Sequence, residues 1–97
     1  MKLVIVPVAL EELQDAAAFY AATANAELGL AFVTEFERAA SRILVNPNVG
    51  AVFRGTQRRY VLPRFPYGVF YQVTSDEIRI VAVAHQRRRP GYWASRK

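Results

Sequence analysis

The sequence predicts an α+β fold of order β-α-α-β-β-β, with a helical hairpin packed on a small, mostly antiparallel sheet. Three observations predict it. Apolar residues recur every three or four positions through residues 8 to 45, the period of a helix, and the spacing falls to two in the second half of the chain, the period of a strand. The later runs are joined by "RFPY" and by the acidic "TSDE", both short enough for antiparallel hairpins. With 97 residues, 53% of them apolar, the chain can build one core, so residues 1–97 are expected to form a single domain.

The opening "KLVIV" (2–6) is short and β-branched, and reads as a strand closed by Pro7. From Val8 the stripe Leu10, Leu13, Ala17 and Tyr20 predicts a helix, with Glu11, Glu12, Gln14 and Asp15 on its other face. Acidic residues in its first turn would suit the helix dipole. "TANAELG" (23–29) reads as a corner before a second helix, whose stripe is Phe32, Phe36, Ala39 or Ala40, and Ile43. Glu35, Glu37, Arg38 and Arg42 are expected to point outward, and Asn46-Pro47-Asn48 ends the helix because proline disfavours helical geometry in the residue before it. "NPNVGAVFRGTQ" reads as a loop. Three strands follow at 58–63, 68–73 and 78–85. In the last, strict alternation puts Ile78, Ile80, Ala82 and Ala84 on one face and Arg79, Val81, Val83 and His85 on the other, so the middle of the strand should be covered on both sides. Arg79 would then share a face with His85 but lie about 20 Å from it along the strand, close enough to Asp76 or Glu77 for a salt bridge.

There is no cysteine and one histidine, which leaves no thiolate zinc site and no disulfide framework; no metal and no cofactor are expected. No Gly-rich phosphate-binding motif occurs. The N-terminal apolar run is too short for a signal-peptide core or a membrane span, so no membrane partner and a cytoplasmic location are expected.

Charge is divided unevenly. Residues 1–50 carry three cations, Lys2, Arg38 and Arg42, against six carboxylates. Residues 51–97 carry ten cations against only Asp76 and Glu77, and nine of the ten are arginine. The arginine fork suits phosphates and carboxylates bidentately, so the second half calls for an anionic partner, either nucleic acid or an acidic protein segment.

The order of elements, the segment "RRYVLPRFPYGVFYQV" before an acidic turn, and the terminal "IRIVAVAHQRRRPGYW" resemble the RelE/ParE family, the toxins of bacterial type II toxin–antitoxin pairs (the plasmid stabilisation type). The likeness covers essentially the whole chain. It implies a RelE/ParE-like fold, a growth-inhibiting toxin, and a cognate antitoxin as partner in a toxin–antitoxin complex. RelE-like members cleave messenger RNA in the ribosome, whereas ParE-like members inhibit DNA gyrase and are not known as hydrolases, so whether the chain is an enzyme depends on the branch.

If RelE-like, the chain would act as a metal-independent, ribosome-dependent mRNA endoribonuclease with His85, Arg87 and Tyr92 as working groups. Histidine exchanges protons near neutral pH, and arginine stabilises charge on a phosphoryl group. Arg87 matches the family's arginine after the last strand; Tyr92 lies about one position earlier than the family's tyrosine, and Trp93 occupies that place. Arg54, Arg58 and Arg59 stand where RelE-like enzymes bring lysines, and with Arg87, Arg89 and Trp93 they are the candidate contacts to nucleic acid or another target. Each has a plainer alternative: His85 as a polar strand cap, Arg58 and Arg59 as a solvated edge, and Tyr92 and Trp93 as an apolar plug folded back on the sheet. The departures tip the expectation toward a ParE-like inhibitor of gyrase. An acidic antitoxin segment that folds as it wraps the basic half would silence either activity.

Overall fold

Pro7 divides the first two elements by serving both. It ends strand β1 (Lys2–Ile5) and stands at the first position of helix α1 (Pro7–Thr23), where its missing N–H would have had no intrahelical partner. Helix α2 (Ala26–Val45) follows after two residues; the Asn25 side chain caps it, accepting the Leu28 N–H at 2.7 Å. Strands β2 (Ala51–Arg54), β3 (Gln57–Val61), β4 (Tyr67–Val73) and β5 (Glu77–His85) complete the chain in this computed structural model, which describes residues 1–87, Trp93 and Arg96. The sheet order is β1-β5-β4-β3-β2, with β1 parallel to β5 and the other pairs antiparallel.

The two helices lie on one side of the sheet. Their inward residues, Ala9, Leu13, Ala16, Phe32, Phe36, Ala39 and Ile43, meet Val69, Tyr71, Ile78, Ile80 and Val83 in one continuous core. Burying each large member contributes about 1.5–3 kcal/mol. Gly29 lets the helices approach closely, since a Cβ there would stand 2.8 Å from the Ala17 carbonyl oxygen. Tyr20 joins Phe32, Phe65 and Tyr67 in an aromatic group, and burial pushes its phenol above the ordinary value near 10. Tyr71, fully buried, donates its hydroxyl to the Pro47 carbonyl at 2.8 Å and accepts the Gly50 N–H at 2.9 Å, which pins the loop after α2 to the sheet.

Several expectations are corrected. Residues 51–54 form a strand, β2, because Gly55 (φ 57°) supplies the left-handed residue of a tight turn and lets Arg54 pair with Gln57. The first helix starts one residue early, so its first turn holds no acidic residue. Ala9 takes the inward position expected for Leu10, which is exposed. Glu35 turns inward, buried, and pairs with Arg38 at 3.0 Å.

The largest correction concerns β5. Phe70 pairs with Ala82 but Tyr71 pairs with Ile80, so Val81 is an extra residue, a bulge. The bulge moves the faces out of step. Ile78 and Ile80 face the helices, whereas Ala82 and Ala84 join Val81, Phe70 and Trp93 on the opposite, open side. The strand is covered on both sides at its middle, as expected, but Arg79 and His85 do not share a face. Arg79 pairs with Glu77 at 2.7 Å.

Candidate functional site

On the open side of the sheet, β2, β3, β4 and the end of β5 border a hollow of about 320 Å³. Its floor and one wall are aromatic. Trp93 lies on Phe70 with ring centres 4.2 Å apart, and Phe53 of β2 meets both rings at 5.0 and 5.8 Å. Gly68 keeps the floor low, because a Cβ there would stand 3.0 Å from the Phe70 ring. Among the described residues, its polar rim is Arg59 and Gln86, with the end of β5 at His85 beside them. Arg54 and Arg59 are exposed, with guanidinium carbons 5.8 and 6.0 Å from the centre of the Phe53 ring, within reach of a cation–π contact. The hollow can therefore take a flat or apolar group while arginines hold an anion beside it.

His85 ends β5 opposite Tyr67, its ring set edge-on to the phenol at 5.1 Å. The ring's Nδ1 accepts the Arg87 backbone N–H at 3.0 Å. In the neutral ring the proton then sits on Nε2, so the free corner of the imidazole donates a hydrogen bond. The same ring borders a second hollow, of about 220 Å³, on the helix side with Glu12, Asp15 and Phe19.

The expected residues are not all brought together. Arg59 lines the open-side hollow, with Trp93 in its wall; His85 borders it at the end of β5, but its ring lies against Tyr67 toward the helix side, and Arg87 follows, exposed. Arg58, half-buried, turns the other way and donates to the carbonyls of Gly50 at 2.7 Å and Asn48 at 3.4 Å. Its guanidinium thus braces the loop. Trp93 is 3% exposed, placed as the apolar plug. Tyr92, Arg88 and Arg89 lie outside the described residues. Sequence reasoning missed Phe53 and Gln86. Phe53 could have been found: "AVFR" before Gly-Thr and "QRRYV" has the form of two strands around a two-residue turn.

A family model described as the ParE toxin of the type II toxin–antitoxin system parDE matches residues 3–90. The chain belongs to the ParE toxin family. Among solved structures, one from the chromosomal ParDE toxin–antitoxin system of P. aeruginosa is similar at a TM-score of 0.78 and 22% identity, over 88% of this chain and 95% of that one. That likeness shows that the two share a fold. No curated protein sequence matches this ParE-family chain. Among the described residues, no helix is long and apolar enough to cross a membrane.

Proposed function

We propose that this ParE-family protein is a growth-inhibiting toxin that acts on DNA gyrase by binding, without hydrolysis, and that an acidic antitoxin segment neutralises it by covering the open side of the sheet. The observation that carries the non-hydrolytic reading is the His85 ring. Cleavage through a ribose 2′-hydroxyl needs a general base with a free lone pair near the nucleophile. His85 Nδ1 accepts the Arg87 amide N–H, which in the neutral ring leaves the lone pair engaged and the proton on Nε2. Among the described residues, the polar side chains on the rim of the open-side hollow are Arg59, a guanidinium, and Gln86, an amide, neither of them a general base. Among the described residues, the arginines beside the rim supply charged donors, suited to gripping carboxylates or phosphates. Such a target would set the protein to work in the cytoplasm.

The same donors support the antitoxin reading. Arg54, Arg59 and Arg87 are exposed around an apolar hollow, a pattern that fits an acidic segment carrying an apolar anchor.

Brief induction of the chain without antitoxin, with parallel pulse-labelling of new DNA and new protein, tests the target. DNA synthesis stopping first is the expected result, and His85→Ala should then remain inhibitory. Protein synthesis collapsing first would replace this reading by the ribosome-dependent endoribonuclease, with His85, Arg87 and Tyr92 as the groups to mutate.

A further inference from the structure

The register of β1 on β5 ends at Ile5 and Ile80; Val6 adds one more bond, its N–H donating to the Ile80 carbonyl at 3.0 Å, before Pro7 leads the chain into α1. Beyond that point the outer edge of β5 is met by side chains. Arg96 Nη1 donates to the Val81 carbonyl at 3.0 Å, and the Val83 N–H donates to Glu12 Oε1 at 3.1 Å. The two side chains are also paired with each other, Nη1 to Oε1 at 2.9 Å and Nη2 to Oε2 at 3.3 Å, the two-bond fork that arginine alone can make with a carboxylate. Both are about four-fifths buried, with side-chain exposures of 20% for Arg96 and 19% for Glu12.

This pair reaches from one side of the sheet to the other. Glu12 belongs to α1, on the helix side. The Arg96 N–H donates to the Trp93 carbonyl at 2.9 Å, which ties the two residues to each other. Trp93 packs on the open side, against Phe70. Arg96 is thus fastened to the helix layer at the bulged edge of β5, while the Trp93 indole forms a wall of the hollow.

We propose that Glu12 and Arg96 are positioning residues for the open-side site: their ion pair holds Trp93 in place and so keeps the wall that Arg59 faces. The idea rests on the reading of that hollow as the inhibitory surface, but its first test does not. Trp93 is the one tryptophan in the chain, so its fluorescence reports the plug directly.

The full chain, free of antitoxin, would be compared with Glu12→Gln, Arg96→Ala, Arg59→Ala and the swapped pair Glu12→Arg with Arg96→Glu. Glu12→Gln and Arg96→Ala should each red-shift the emission and raise quenching by acrylamide, while circular dichroism and a cooperative melt stay those of a folded chain. The swap should restore part of the parent spectrum. Arg59→Ala should leave the spectrum unchanged and abolish growth inhibition, and the two clamp variants should lose inhibition together with the plug. Parent-like emission and quenching in both Glu12→Gln and Arg96→Ala would overturn the clamp. Released Trp93 with full inhibition, where Arg59→Ala has lost it, would overturn the positioning role and leave the open-side reading standing. Full inhibition in Arg59→Ala would instead sink the open-side reading, and the positioning role with it.

Discussion

The two sides of the sheet are built for different ends. The helix side is closed: Leu13, Phe32, Phe36 and Ile43 come down on Val69, Tyr71, Ile78 and Ile80, all nearly or fully buried. The open side carries a smaller cluster, Phe70, Val81, Ala82, Ala84 and Trp93, with Phe53 only partly covered and arginines at its margin. One side holds the fold together. The other leaves apolar surface and positive charge within reach of a partner, the combination that marks interaction sites. Stability and function should therefore separate by side when residues are changed.

The hardest way to break that contrast is Phe32→Ala. Phe32 is 0% exposed, and removing its ring should cost about 3–5 kcal/mol, a large share of a small domain's stability. Urea denaturation should show the midpoint falling steeply or the folded baseline lost; a change under about 1 kcal/mol would mean that the helix side is not the structural core. Tyr71→Phe comes next. It keeps the ring but takes the partner from the Pro47 carbonyl and the Gly50 N–H, at about 1–3 kcal/mol by the same measurement.

Phe53→Ala probes the open side. Because Phe53 is only half-buried, the loss should be smaller, about 1–2 kcal/mol, but growth inhibition should fall with the aromatic wall. If its cost equals that of Phe32→Ala, the two sides are not distinct. Arg59→Ala is the sharpest case. The residue is exposed and its described contact is to the Phe53 ring, so stability should stay within about 0.5 kcal/mol while inhibition disappears. A parent-like melt with full activity would remove Arg59 from the site.

Much of this was legible in the sequence because it depends on near neighbours. The α2 stripe of Phe32, Phe36, Ala39 and Ile43 is a matter of helical spacing, and all four residues are buried as that spacing predicts. The β3–β4 and β4–β5 hairpins follow from short turns between alternating runs, and Arg79 found the carboxylate two residues away. The concentration of arginine in the second half was visible as composition alone.

What the sequence could not supply was decided by partners distant along the chain. The bulge at Val81 exists only in the register that β5 takes on β4, and that one extra residue sends Ala82 and Ala84 to the open side and parts Arg79 from His85. Helical spacing put Glu12 on an outer face, but the free edge of β5, 71 residues further on at Val83, gives its carboxylate a backbone N–H to accept and Arg96 to pair with. Arg58 and Arg59 are adjacent and chemically identical; strand alternation sends one to the loop carbonyls and the other to the hollow. Local spacing fixes which residues can share a surface, because backbone geometry repeats at short range. Which surface they share, and what they meet there, is set by register and packing between elements far apart in the chain.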